Sequence, residues 1–206
     1  MKIGIIGSGN IGGTLARLLA GAGHEVVVAN SRGPESLAGL VGEIGPAATA
    51  STPAGAAEAG EVVVVAIPFF RYTALPATEL AGKIVVDATN YYGGRDGSFP
   101  EIESGTAGSS ELLARILPGA RVVKAFNTIH FRHLAGDGVP SGTPGRRAIP
   151  IAGNDPAANA TVAALIDEIG FDAYDAGSLS DGRRFDPGTP LFNVALTRDE
   201  VAAALA

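Results

Sequence analysis

Hydrophobic and polar positions change period at short intervals along this chain. Lys2 to Ile6 is a compact apolar run that stops at Gly7, and from Asn10 to Ala22 the residues Ile11, Leu15, Leu18 and Leu19 recur at helical spacing. Gly23 stops that helix, and Glu25 to Ala29, with three valines, reads as a second strand, so the chain opens with a βαβ unit. A weaker helix is predicted near Glu35 to Ile44, then an extended piece at Ala47 to Ala50. The next helix is capped by Ser51 or Thr52, with Pro53 at its first position. Glu61 to Ile67 carries four valines in a row, the apolar run expected of a strand covered on both faces.

The alternation continues with a helix near Tyr72 to Leu80, a strand at Lys83 to Ala88, a loop from Thr89 to Ser109 and a helix at Ser110 to Leu117. Strands follow at Arg121 to Phe126 and Ala148 to Ala152, then a helix at Pro156 to Ile169 and a last strand at Phe171 to Asp175. Eight strands alternating with helices predict an α/β fold, a doubly wound, Rossmann-type and mostly parallel sheet. The 89–109 loop exceeds the ~12–15 residues at which a structureless connection becomes unusual, so it reads as a lid or as a segment with structure of its own. No internal repeat or linker appears. The reading is one domain over 1–185 and a tail over 186–206, ending in a helix with Thr197 and Glu200 as a capping box. Val201 and Leu205 share a face of that helix, to dock on their own domain or on a second copy in a homodimer.

Composition narrows the chemistry. The 206 residues are 46% hydrophobic and 17% charged, enough for a full core. There is no Cys, which removes disulfides, thiolate nucleophiles and iron–sulfur clusters, and there are only three His and no Trp. So narrow a toolkit points to reactivity supplied by a bound cofactor. The net charge is −6 and no basic run is longer than Arg146-Arg147 or Arg183-Arg184, which argues against a nucleic-acid partner. The longest uncharged stretches, Ile3 to Ala16 and Ile44 to Ala57, fall short of the ~18 residues of a membrane span, and no signal-peptide layout opens the chain; the expected location is the cytoplasm.

Gly7-Ser8-Gly9-Asn10-Ile11-Gly12 fits G-x-G-x-x-G directly after a strand and at the start of a helix. Gly7 makes the tight turn, Gly9 lets backbone approach a pyrophosphate, and Gly12 lets helix and strand pack closely; the helix N-terminus adds N–H donors. An NAD site usually presents Asp or Glu at the end of the second strand to bond the ribose 2′-OH. This chain has Asn30-Ser31-Arg32 there, so no carboxylate repels a 2′-phosphate, and the residues favour NADP(H).

Ligands of open α/β sheets bind outside the carboxyl ends of the strands. Those ends carry Pro68-Phe69-Phe70-Arg71-Tyr72, Asn90-Tyr91-Tyr92 and Phe126-Asn127-Thr128-Ile129-His130-Phe131, with seven of the twelve Phe and Tyr residues. Two readings stay open for these rings: core packing, or a wall against which a flat apolar substrate lies beside a nicotinamide. His130, His133 and Asp137 have the spacing of a two-His-one-carboxylate metal site, but Gly136 and Gly138 speak against the helix it needs, so no metal is assigned. Lys124, inside a strand, is read as a solvated or snorkelling structural lysine. P-loop, hydrolase-elbow and zincin motifs are missing.

Gly4 to Gly12, Asn30-Ser31-Arg32, Ala66-Ile67-Pro68, Asp87-Ala88-Thr89-Asn90 and Val122 to Ile129 together resemble the NADP oxidoreductases of the coenzyme F420-dependent type. The last segment is also similar to the cytosolic reductase domains of transmembrane metalloreductases. The resemblance runs from Met1 to Asp175. It implies NADPH lying across the strand ends and a hydride passing between nicotinamide and a deazaflavin ring stacked on it. Ser8, Asn10 and Ile11 would then hold the pyrophosphate, and Ser31 and Arg32 the 2′-phosphate. Ile67 and Pro68 would border the nicotinamide, with Asn90 in the same cofactor-binding set. Asn127, Thr128 and His130 would stand beside the second ring as candidate catalytic residues. Such transfer is mostly positioning and needs little from an acid or base. The 91–109 loop and the 185–206 tail match nothing assignable to deazaflavin binding. The second substrate is therefore read as coenzyme F420, a flavin, or a small carbonyl or imine metabolite, beside the further alternative of a non-catalytic NADPH sensor.

Overall fold

The computed structural model describes residues 1–206. Each of the eight expected strands forms: β1 (Lys2–Ile6), β2 (Glu25–Ala29), β3 (Ala48–Ser51), β4 (Val62–Val65), β5 (Ile84–Asp87), β6 (Arg121–Lys124), β7 (Ala148–Gly153) and β8 (Asp172–Asp175). They make one sheet in the order β3-β2-β1-β4-β5-β6-β7-β8. Neighbours are parallel except β6 and β7, which run antiparallel with Lys124 opposite Ala152. Strand order reverses direction between β1 and β4, and the crevice expected of a doubly wound sheet opens there.

The helices are α1 (Asn10–Gly21), α2 (Ala38–Ile44), α3 (Pro53–Ala59), α4 (Ala77–Leu80), α5 (Gly93–Asp96), α6 (Pro100–Glu103), α7 (Ser109–Ile116), α8 (Phe131–Gly136), α9 (Pro156–Glu168) and α10 (Arg198–Ala204). Period-two alternation along fully buried strands sends neighbouring side chains into different layers. Ile3, Ile5, Val62 and Val64 join Leu15, Leu19 and Val162 in the larger core, while Ile6, Val63 and Val65 join Ala56, Leu113 and Leu117 in the one on the opposite face. Gly4 has no room for a side chain, because a Cβ would lie 2.2 Å from the Ala56 carbonyl oxygen, so α3 packs directly on β1.

The structure departs from the sequence reading at one segment and gives a form to two that it left open. The helix expected over Tyr72 to Leu80 is divided: a 3-10 helix covers Phe69–Ala74, Leu75 is extended (ψ 143°), and α4 starts after Pro76. The proline excludes the helical conformation from the residue before it. The 89–109 loop holds α5, α6 and a small core of its own. Phe69, fully buried, stacks on Tyr72 (centroids 4.9 Å apart, planes 4° apart), and Tyr91 and Phe99 meet it edge-on. Finally, residues 186–206 pack on their own sheet: Leu191, Val201 and Leu205 cover Phe185, Ala148 and Ala152. No helix is long and apolar enough to cross a membrane.

Candidate functional site

The turn between β1 and α1 is built by what its glycines lack. Gly7 has φ +113°, and a Cβ there would lie 2.2 Å from the Ala66 carbonyl oxygen; at Gly12 a Cβ would lie 1.8 Å from the Gly7 oxygen. Both glycines are required by protein packing alone. Gly9 differs, since a Cβ there would meet no protein atom within 4 Å. Its bareness faces open space, which is the provision a backbone makes for a close ligand. The first backbone bond of α1 runs from Gly13 N to Gly9 O at 2.8 Å, and no side chain caps the helix, so its leading N–H groups have no intrahelical acceptor.

Asn30, just beyond β2, organises the neighbouring edge. Its Nδ2 donates to Ser8 Oγ at 3.0 Å, and its Oδ1 accepts from Arg32 N at 2.8 Å. The amide thereby ties the glycine turn to the segment presenting Ser31 and Arg32, both exposed. Gly7, Ser8, Gly9, Asn30, Ser31, Arg32, Ile67 and Pro68, expected at a shared site from sequence, line one cleft of about 350 Å³. Ile6, Pro53, Ala66, Arg71, Ala74 and Leu75 complete it and include no acid. Asn10 instead lines a depression beside the turn with Ser8, Gly9 and Phe131. Gly12 is buried and Ile11 packs on the larger core.

Asn90, Asn127, Thr128 and His130 form a second group beyond β5 and β6, outside that cleft. Asn90 Nδ2 donates to the Asn127 carbonyl at 2.9 Å. Asn127 is buried; its Nδ2 donates to the Phe185 carbonyl at 3.0 Å and Asn90 Oδ1 at 3.3 Å, while its own Oδ1 has no partner. Thr128 is buried too, and its carbonyl accepts from Asn193 N at 3.1 Å. Phe126, before them, has φ 64°, a left-handed conformation that turns the chain sharply at the strand end. His130 is exposed and caps α8, its Nδ1 accepting from Arg132 N at 3.3 Å. His133 pairs with Asp137 at 3.1 Å, and no cluster of three His, Asp or Glu groups is placed to hold a metal.

The aromatic residues divide. Phe69, Tyr72, Tyr91 and Phe126 serve packing, whereas Phe70 and Tyr92 are more than two-fifths exposed, with Arg71 and Arg95 lying over their rings. Lys124 is neither solvated nor snorkelling. It is 1% exposed, with Nζ 2.5 Å from Asp186 Oδ1 and 3.0 Å from Ser109 Oγ. Sequence reasoning had no means of seeing Asp186, sixty-two residues on, as its counter-ion. Arg71 it left without a role, although a period of three after Pro68 places Arg71 and Ala74 with it on the cleft.

A crevice at the sheet's reversal point, a glycine turn under a free helix N-terminus and an acid-free rim with two arginines define a Rossmann-type dinucleotide-binding protein. The family of NADP oxidoreductases, coenzyme F420-dependent, matches residues 2–91. A hypothetical protein of Sinorhizobium meliloti has a similar crystal structure, with 35% identity and a TM-score of 0.82 over 96% of this chain and 95% of that one. A candidate F420-dependent NADP-reductase from Arthrobacter sp. FB24 is 31% identical, with a TM-score of 0.75 over 89% of this chain and 87% of its own. The rat metalloreductase STEAP3 is 35% identical over 188 residues, 90% of this chain; the chain spans 36% of that relative's length. The chain belongs to the coenzyme F420-dependent NADP oxidoreductase family.

Proposed function

We propose that this protein binds NADP(H) across the carboxyl ends of β1, β2 and β4 and transfers a hydride between its nicotinamide and a second ring, coenzyme F420 or a flavin. The observation that carries the reading is the cleft itself: a glycine whose missing Cβ would meet only open space, beside two arginines and no carboxylate. The leading N–H groups of α1 and Ser8 would hold the pyrophosphate, and Ser31 and Arg32 the 2′-phosphate. Ile67 and Pro68 supply an apolar edge toward the nicotinamide. Bound NADPH supplies the hydride. Asn90 and Asn127, bonded to each other, leave the buried Asn127 Oδ1 free to accept from an amide or ring N–H.

A ring acceptor is favoured over a small carbonyl or imine by where the proton-bearing groups lie. Lys124 is engaged with Asp186, and His130, whose Nδ1 accepts from Arg132 N and whose Nε2 is free, lies outside the cleft that Ile67 and Pro68 line, so neither stands at that edge as the proton donor that carbonyl reduction needs. The test mixes the protein with NADPH and, in separate arms, oxidised F420, FMN, FAD, a carbonyl compound, or a carbonyl with an amine, and follows nicotinamide absorbance. Turnover with a ring acceptor is expected. Consumption only with a carbonyl, or with a carbonyl and an amine, overturns the ring-acceptor reading. Tight NADPH binding without turnover in any arm makes the chain a sensor instead.

A further inference from the structure

The 3-10 helix after β4 sorts its side chains by its own period. Three residues per turn place positions i and i+3 above one another. Pro68, Arg71 and Ala74 accordingly face the cleft, while Phe69 and Tyr72 face the aromatic core that anchors the turn. The Arg71 backbone is thus fixed, its N–H donating to the Pro68 carbonyl at 3.0 Å, but its guanidinium has no hydrogen bond and no carboxylate. Arg32, Arg132, Arg184 and Arg198 likewise have no carboxylate partner, but of these only Arg32 shares the cleft with Arg71. Arg17, Arg95, Arg115 and Arg146 each hold an acid at 2.5–2.7 Å. In the cleft, Arg32 and Arg71 are both without one, and no acid lines the walls between them.

Two unpaired guanidiniums about one acid-free cleft fit a ligand group carrying close to two negative charges. A pyrophosphate spreads its charge over two linked groups and already has the glycine turn and the α1 N-terminus. A phosphate monoester concentrates about −1.5 to −2 on one group, more than a single arginine balances. We propose that Arg71 is the second jaw of a clamp, gripping the 2′-phosphate of NADP(H) from the β4 side while Arg32 grips it from the β2 side, and so is a specificity determinant for NADP over NAD. This rests on the NADP(H) reading above and adds to it a residue from a different strand.

The test is calorimetric titration of the wild type, R71A, R71K and R32A with NADPH, NADH and adenosine 2′,5′-bisphosphate. R71A is expected to lose about tenfold or more in affinity for NADPH and the bisphosphate, and less than about threefold for NADH, with R71K recovering part of the loss. Because Arg71 is exposed and makes no side-chain hydrogen bond or ion pair, its guanidinium lying only over the exposed Phe70 ring, the thermal unfolding of R71A should stay close to the wild type; should R71A misfold, R71K and R71Q supply the same comparison. Equal losses for NADPH and NADH overturn the proposal, since Arg71 would then serve a group common to both. No loss overturns it as well. A wild type that binds neither nucleotide, or prefers NADH, brings down the NADP(H) reading instead, and is seen before any variant is made.

Discussion

Lys124 on β6 and Asp186 at the head of the C-terminal segment form an ion pair of 2.5 Å, with Lys124 1% and Asp186 19% exposed. The pair fastens the tail next to the point where Asn127 Nδ2 donates to the Phe185 carbonyl. The two partners are not equivalent. Removing Asp186 strands a buried ammonium with only the Ser109 and Ser110 hydroxyls, whereas removing Lys124 leaves a carboxylate that is 19% exposed, although its Oδ1 is buried without another partner. Breaking a buried pair costs about 3–5 kcal/mol. D186A should fall in that range by chemical denaturation, K124M should cost less, and K124M/D186L should cost less than the two single changes added. Equal and additive losses would show that the pair is not coupled.

The glycines of the turn predict opposite outcomes for the same substitution. Gly12→Ala drives a Cβ against the Gly7 carbonyl oxygen and should destabilise the fold by about 1–3 kcal/mol or more. Gly9→Ala meets open space and should change stability by no more than about 0.5 kcal/mol while weakening NADPH binding. Denaturation midpoints and NADPH titrations read the two effects separately. A Gly9→Ala protein that binds NADPH as the wild type does would show that no ligand backbone comes close there.

Asn30→Asp tests the edge of the adenosine site. A carboxylate can still accept from Arg32 N but cannot donate to Ser8 Oγ, and it places negative charge where a 2′-phosphate would lie. NADPH affinity should fall about tenfold or more, with NADH held or improved through the ribose 2′-OH. Fluorescence titration of both nucleotides gives the ratio; an unchanged ratio removes residue 30 from the selection of the nucleotide.

Asp96 makes the 91–103 segment sensitive to acid. Burial alone pushes its carboxyl up, but the Arg95 guanidinium and the Tyr92 and Phe70 N–H groups outweigh burial and hold it below the usual range. With the folded pKa below the unfolded value of about 3.9, the carboxylate's contribution is complete above that value and is lost as pH falls through the folded pKa. Limited acid proteolysis should open this segment only below about pH 4. D96N should open it more readily at neutral pH and with a shallower pH profile; a profile as steep as the wild type's would assign the effect to other acids.

β1, β2, β4 and β5 were legible because each is a short apolar run, and a run such as Val62 to Val65 has few alternatives once both faces are covered. The glycine turn and Asn30-Ser31-Arg32 were legible because a short loop after a strand has little freedom in where it points. Arg71 was not assigned because the stretch from Tyr72 read as α-helix, and the period of three that aims Arg71 at the cleft emerges only once Pro76 has broken that helix. The aromatic residues could not be divided between core and cleft, since a Phe after a strand has the same letter in either role. Phe69 and Phe70 are adjacent, and only packing separates the buried ring from the exposed one.

Period and composition along the chain were enough for a doubly wound sheet with its nucleotide turn at β1, because those features depend on neighbours a few residues apart. What required the folded chain were the pairings between distant residues: Asn30 with Ser8, Asn90 with Asn127, Lys124 with Asp186, and Arg32 with Arg71 about a single cleft. No local pattern encodes them, since each depends on how strands far apart in sequence are ordered in the sheet. The absence of cysteine and the scarcity of histidine pointed to borrowed chemistry, and the tertiary structure decided which cations remain unpaired to hold what is borrowed.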